Sequence, residues 1–578
     1  MALIDKASLL MVPSTYEAGK LYNVLPSGNR APDNKGGAGY DQTRADFDFD
    51  RGTDHAATRV NADGLIEKYR ENLLLQSNQF DTTWGKVNIS ATSGQEGYDG
   101  KNNAWKIEGT GSAAFSYLLQ SESNNIVKTR SVYAKAGSVS YLGIWGSGSN
   151  FGYFDLSNGT LDNMSGSSAI AHSITDVGNG WYRCEFVSTG SSSSFYIVPS
   201  LTANGTSLST GQNIYIQNAQ LESGLVATDV LTSGATTAKA GVLVDLPRIN
   251  YDANGENGNL LLEPSRQNKF LFSEYYGSGA LGIYATGTNT HSVTNNYSIS
   301  PEGVKNAIRF VADITSVGDR VVLRDGVSCG GGNHTLTFYA KSNTSNTYTM
   351  KMHFDGGGKK QIEVTPEWQR FEYGQSANTT CNAGIECSSA SGYSSSVDVS
   401  VYGFQLEPQL YSTSYIPTMG TTETRAADSC SVTGVSDVIG QTEGTIFVDL
   451  DLVNPTSVNG NYHILIVGST SQRITIYSNA SLIIVDGLGG GGFTAITTPF
   501  SAGRKKIAVA YASNDIAFYM NGVLIGTKTT ASIPTSMGQI DLGGNYTFNN
   551  FIAGNEFNQT ALFKERLSNA ELATLTTL

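Results

Sequence analysis

The 578 residues carry 37 Lys and Arg against 50 Asp and Glu, a net charge of −13, and are 39 % hydrophobic, 15 % charged and 10 % aromatic. This length exceeds one hydrophobic core, since domains of about 50–250 residues imply three or four units, and the aromatic content excludes a disordered chain. The acidic balance, without any Lys/Arg cluster, excludes a general nucleic-acid binder; no apolar run approaches the roughly 20 residues of a membrane span; and residues 1–6 do not read as a signal peptide, so synthesis in a cytoplasm is expected.

In chain order, residues 1–58 come first. Two apolar stretches (9–13 and 22–25) precede a Gly- and Asn-rich segment, 27–40. An alternating acidic/aromatic strand follows, Arg44-Ala-Asp46-Phe-Asp48-Phe-Asp50-Arg51. The segment is too short to enclose a core, so it reads as an extended N-terminal docking arm that orders on a partner. Asp46, Asp48, Asp50 and Asp54 could ligate calcium as hard oxygen donors; without an EF-hand loop pattern, a solvated or subunit-facing strand is the preferred reading.

An internal repeat organises residues 59–424. Glu67-Lys-Tyr-Arg70-Glu-Asn72 returns as Glu263-Pro-Ser-Arg266-Gln-Asn268. Tyr133-Ala134-Lys135 returns as Tyr339-Ala340-Lys341. Gly180-Trp181-Tyr-Arg183 corresponds to Glu367-Trp368-Gln-Arg370, and Gln220-Leu221-Glu222 to Gln405-Leu406-Glu407. Four motifs in the same order indicate a duplicated module, the first over 59–232 and the second, with its linker, over 233–424. Period-two runs such as Ile214-Tyr-Ile216 and Val399-Ser-Val401, separated by Gly/Ser/Asn turns, predict sandwiches of short strands.

The unit 425–578 shows further short strands. Asn521-Gly522 is a hairpin turn signal, and Ser568 with Glu571 has capping-box spacing for one terminal helix. The fold class is all-β: tandem β-sandwich or jelly-roll modules behind the arm.

Two resemblances follow from these residues. Ile516-Ala-Phe-Tyr-Met-Asn521-Gly522-Val523, Ile540-Asp-Leu-Gly543-Gly544 and Ala561-Leu562-Phe563 through Leu572 make the last unit similar to the concanavalin A-like, laminin-G-like jelly rolls. The Tyr-Ala-Lys, Gly-Trp-Tyr-Arg and Gln-Leu-Glu elements, with Thr424-Arg-Ala-Ala-Asp428, resemble carbohydrate-binding-type sandwiches of tailed-bacteriophage virion proteins; module two departs at Glu367-Trp-Gln-Arg370. The resemblance implies a structural virion protein: a tail fibre or appendage for host attachment that contacts surface glycans. A head-surface fibre or decoration protein, or a tail-spike polysaccharide depolymerase, is the alternative. It further implies a homo-oligomer, with a trimer favoured, and virion partners held through the arm; its place is the virion, made in the host cytoplasm.

No constellation carries catalysis. The six His lack metal-ligand spacing, there is no nucleophile elbow, and fifty carboxylates are too many for sequence alone to single out a glycosidase pair. The protein is therefore read as a non-enzyme with no catalytic residue, no metal site and no cofactor beyond the calcium option. Trp181 and Trp368, at one position of a duplicated motif, read as sandwich-core residues; Trp145 is the candidate glycan contact. Arg70 and Arg266 read as structural ion-pair residues, with Glu222 and Glu407 as partners or caps. Of the five cysteines (Cys184, Cys329, Cys381, Cys387 and Cys430), Cys381 and Cys387 could pair, but buried free thiols are the preferred reading.

Overall fold

The computed structural model describes residues 3–578 except 18–19, 26–45, 54, 112–113, 122–125, 148, 190–193, 253, 257, 278, 356–357, 454–460, 490–491 and 545–554. All of segment 27–40, Arg44 and Ala45 of the acidic/aromatic stretch, and Asp54 therefore lie outside the described residues. The fold is all-β: among the described residues the strands are joined by one short 3-10 helix, Leu3–Lys6, and one α-helix, Asn569–Thr576. No described helix is long and apolar enough to cross a membrane.

Module one is a sandwich of two six-stranded sheets, and module two of two five-stranded sheets. The strand order is the same in both. In module one, Trp181–Ser188, Lys128–Ala136, Asn213–Ser223, Ala104–Gly109 and Ile89–Gln95 lie side by side. In module two, Gln369–Ala377, Gly332–Ser342, Ser396–Pro408, Ala307–Ile314 and Asn289–Ser298 repeat that order. Module one adds one strand to each sheet, Thr160–Ser165 and Ala169–Gly178. This insertion accounts for the repeat spacing: the offset drops from 206 (Tyr133 to Tyr339) to 187 (Trp181 to Trp368), a difference equal to the 19 residues of 160–178.

The repeated motifs form one clamp, built twice. Asn72 Nδ2 donates to the carbonyls of Ala219 (3.1 Å) and Leu231 (2.7 Å), and Asn268 to those of Phe404 (3.1 Å) and Ile416 (2.8 Å). Gln220 Nε2 donates to Glu222 at 2.6 Å, and Gln405 to Glu407 at 2.7 Å. Each glutamate in turn accepts from the backbone and hydroxyl of a threonine in the exit segment, Thr228 or Thr413. Arg183 and Arg370 donate to those threonines' carbonyls. The clamp ties module entry, last strand and exit segment together, satisfying buried polar groups that would otherwise be costly. Glu222 and Glu407 are thus partners of loops. Arg266 lies 3.9 Å from Glu407 and over the Tyr411 ring at 4.8 Å, whereas Arg70 makes no ion pair among the described residues. The 232–241 linker also carries structure: Ala238–Ala240 pairs with Arg70–Asn72, as Glu423–Arg425 pairs with Arg266–Asn268.

The N-terminal segment is not a free docking arm. Strands Leu9–Glu17, Lys20–Val24 and Phe47–Asp50 lie inside the C-terminal unit's 16-stranded sheet. Leu9–Glu17 pairs with Asn555–Phe563 (Leu9 opposite Leu562), and Phe47–Asp50 with Ser429–Thr433 (Phe49 opposite Cys430). They join the two halves of that sheet, and Leu9, Met11, Leu21, Leu25, Phe47 and Phe49 belong to its core with Ile446, Val509, Ile540 and Phe557. The apolar side chains that seemed to need a foreign partner find one in the last unit of the same chain. The acidic strand is split by its alternation: Asp46 is buried and accepts from the Asn23 N–H at 2.8 Å, while Asp48 pairs with Lys20 and Asp50 with the Gly52 N–H. Among the described residues no group of three or more His, Cys, Asp or Glu is placed to hold a metal ion.

A buried charge network joins the segments. Arg248 donates to Glu263 (2.6 Å) and Asp428, Arg425 stands 2.9 Å from Glu263, and Arg51 lies 3.4 Å from Asp428. The three arginine side chains and Asp428 are fully buried, Glu263 nearly so. Burial alone would raise the Glu263 carboxyl, but Arg425 and Arg248 outweigh it and hold it down at about 2. Because the folded value is depressed, its stabilisation is complete above the unfolded value near 4.5 and is lost as pH falls toward 2. Melting temperature should therefore decline across that window, a decline that Glu263→Gln flattens at the expense of stability at neutral pH. A wild-type melting temperature flat from pH 5 to about 2 would contradict this.

Two further features are local. Asn521 and Gly522, both at positive φ (50° and 81°), make the two-residue turn between Met520 and Val523. Ser568 and Glu571 form the capping box. The cysteines depart from expectation. Cys329 and Cys381 are disulfide-bonded, while Cys184, Cys387 and Cys430 are buried free thiols. Cys381 and Cys387 lie in one extended strand, Thr380–Ser388; six residues of strand span about 20 Å, which rules out their pairing.

Candidate functional site

On module one, the sheet formed by Tyr117–Ser121, Ser194–Ser200, Tyr141–Ser147 and Asn150–Asp155 turns Leu118, Ile197, Leu142, Ile144 and Phe154 into the sandwich core. Strand alternation places the residues between them on the outer face. There, one register line crosses four strands: Leu119 opposite Tyr196, Tyr196 opposite Trp145, and Trp145 opposite Phe151. Tyr196, Trp145 and Phe151 are each half-buried. The Trp145 and Phe151 rings are 5.4 Å apart, and Tyr117 meets Tyr196 edge-on at 5.2 Å.

Glycine shapes this row. A methyl group on Gly143 would stand 2.7 Å from the Trp145 indole nitrogen and 2.9 Å from the Tyr153 ring, so its absence lets the indole fold down over the sheet. Tyr153, buried beneath, donates to the Gly205 carbonyl at 2.6 Å and so pins the 201–205 loop beside the row. Amides flank it: Asn163 donates to Asn204 at 2.9 Å and Asn150 to Ser147 at 2.9 Å. The result is an aromatic platform edged by hydrogen-bonding groups, the arrangement that a flat polyhydroxylated ring requires.

Trp145 was the sole residue expected here; Tyr196, Phe151 and Tyr117 were missed. The alternation Phe151-Gly-Tyr153 after Gly143-Ile-Trp145 was the available signal. Trp84 and Trp105 are buried in the core and donate to the Gln76 and Asn78 carbonyls. Trp181 and Trp368 are not core residues of the sandwich. Trp181 sits on the outer side of its sheet, buried with Ala104 and Tyr133, and Trp368 packs half-buried against Tyr402 and Tyr415. Both belong to the covering of the clamp.

A cavity of about 510 Å³ opens between the modules, lined by Lys68, Arg70, Glu71, Glu222, Glu274 and Met419 among others. Its carboxylates are engaged. Lys68 lies 2.7 Å from Glu274 and 2.6 Å from Glu302, Asn306 donates to both, and Tyr415 and Tyr402 donate to one each. Burial would lower the Lys68 ammonium, but the two glutamates raise it instead, so it remains charged as their counter-ion.

No family model and no curated protein sequence matches the chain. Among solved structures, the Ruminococcus gnavus IT-sialidase CBM40 bound to α2,3-sialyllactose shares 17 % identity over 24 % of this chain and 84 % of its own, with a TM-score of 0.21. The tandem CBM22-1–CBM22-2 domain of Paenibacillus barcinonensis Xyn10C shares 12 % over 62 % of this chain and 100 % of its own, at 0.21. Domains LG4-5 of the mouse laminin α1 chain share 8 % over 53 % and 90 %, at 0.17. Similarity at this level does not bear on what the chain does.

Proposed function

We propose that this chain is a glycan-contacting structural protein of a tailed-bacteriophage particle, a tail fibre or appendage component, and that it binds without cleaving. The observation that carries glycan binding is the in-register row Tyr196–Trp145–Phe151 on the open face of module one. The particle assignment is supported by the resemblance of the repeated motifs and of the Thr424–Asp428 junction, and the trimeric state by that resemblance alone. The engaged state of the cavity carboxylates favours binding over hydrolysis.

The test is affinity electrophoresis of the intact protein through gels containing individual neutral polysaccharides. For the polysaccharide that retards it, Trp145→Ala should weaken binding by about 2 kcal/mol, roughly thirtyfold, with the melting temperature kept. Equal retardation of the variant would remove the platform reading, and release of oligosaccharides from that polymer would establish the depolymerase alternative. An antibody against residues 425–578 should label tails of purified particles; labelling of heads would move the protein to the head surface.

A further inference from the structure

The duplication allows the same face to be compared in module two, and its chemistry differs. Strands Arg320–Ser328, Thr380–Ser388, Tyr348–Phe354 and Gly358–Val364 occupy the places of the four strands that build the aromatic row. They turn Leu323, Ile385, Met350, Met352 and Ile362 into the core. Outward, one register line reads Arg324, Gly384, His353, Lys359, and the next reads Tyr284, Val322, Glu386, Lys351. Lys351 and His353 thus stand on the strand that corresponds to that of Trp145.

This face is organised around positive charge. Arg324 and Arg320 both stack on the ring of exposed Tyr284, at 4.4 and 5.4 Å. Arg320 has no ion pair among the described residues, and Arg324 reaches only Asp355, at 3.5 Å. Lys351 lies 4.0 Å from the Tyr393 ring centroid. Beneath them, buried Glu386 fixes Lys351 (3.4 Å), His353 (2.9 Å) and Lys359 in place. Against Arg320, Arg324, Lys351 and Lys359 stand three carboxylates, Glu386, Asp355 and, farther along Gly358–Val364, Glu363, which accepts from Thr349 and Gln361, so the patch keeps a positive excess on a chain whose net charge is −13.

We propose that this face of module two binds an anionic saccharide, a sugar bearing a carboxylate or sulfate, with Arg320 and Arg324 as the guanidinium clamp and Tyr284 as their support. Guanidinium groups present paired donors that match such oxyanions, and stacking on an aromatic ring holds them ready. The proposal rests on reading the sandwiches as saccharide-binding, but it uses a different module and different residues from the aromatic row.

The full chain would be run through gels containing polygalacturonate, dextran sulfate or neutral dextran. Retardation by at least one polyanion is expected although overall charge opposes it, and high salt should weaken it. The Arg320→Ala/Arg324→Ala double variant should bind that polyanion about tenfold or more weakly with an unchanged melting temperature, while Trp145→Ala leaves this binding intact. Polygalacturonate alone would assign a carboxylate, and dextran sulfate alone a sulfate. No retardation by either polyanion, or equal retardation of wild type and double variant, would overturn the proposal without touching the Trp145 site. Equal retention in a gel of single-stranded DNA would overturn the saccharide assignment.

Discussion

Removing residues 1–58 will unfold the C-terminal unit and leave the two sandwich modules intact. The truncation strips Leu9, Met11, Leu21, Leu25, Phe47 and Phe49 from a core in which each is 6 % exposed or less. At roughly 1.5–3 kcal/mol per buried side chain, the loss is about 9–18 kcal/mol, an upper bound given a compact unfolded state. That matches or exceeds the roughly 5–15 kcal/mol of a typical domain. It also bares the edges of Asn555–Phe563 and Ser429–Thr433, open to pairing with other chains. Limited proteolysis of 59–578 should cleave within 425–578 first, and a fragment of 425–578 alone should show no cooperative melt. A protease-resistant C-terminal unit in the truncated chain would refute this, and would restore the view of the first 58 residues as a separate arm.

Asp428→Ala should be the most damaging single substitution away from the apolar cores. Asp428 faces Arg51 and Arg248 and accepts the Glu263 N–H at 2.8 Å. Without it, three buried guanidinium groups share Glu263 and the more distant Glu407. Burial and the like charges of its neighbours already hold Arg51 at about 10, despite the opposing pull of Asp428. Breaking a buried network by removing one partner costs about 3–5 kcal/mol, whereas replacing both members with apolar groups costs far less. Urea unfolding should therefore show a loss of that size for Asp428→Ala and a smaller one for Asp428→Leu combined with Arg248→Met. A loss below about 1 kcal/mol for the single variant would mean that water reaches the network.

The network also shows why its motif was visible before its meaning was. Thr424-Arg425-Ala-Ala-Asp428 stood out as a junction, and Glu263 as the counterpart of Glu67 in the duplicated entry motif. Glu67 pairs with Arg59 at 2.7 Å as Glu263 does with Arg248 at 2.6 Å, eight and fifteen residues apart, so the ion pair recurs but its spacing does not. That the entry of module two, its exit and the N-terminal strand converge on one buried point has no counterpart in local spacing. The aromatic platform was legible to the same degree: Trp145 could be named, because it sits beside a Gly/Ser turn, but Tyr196 joins it from a strand fifty residues later.

What the sequence by itself determined is whatever depends on near neighbours. Period-two patterning established the strands, Asn521-Gly522 a hairpin, Ser568 and Glu571 a cap, and four ordered motifs a duplicated sandwich. Only the tertiary structure decided which distant edges pair. The strand at Leu9 lies against Leu562, and Cys381 is joined to Cys329 and not to Cys387. The physical reason is that turns, caps and alternation are set by sterics and hydrogen bonds within a few residues. An apolar strand edge, by contrast, is compatible with many partners, and the choice among them follows from which pairing closes the shared core.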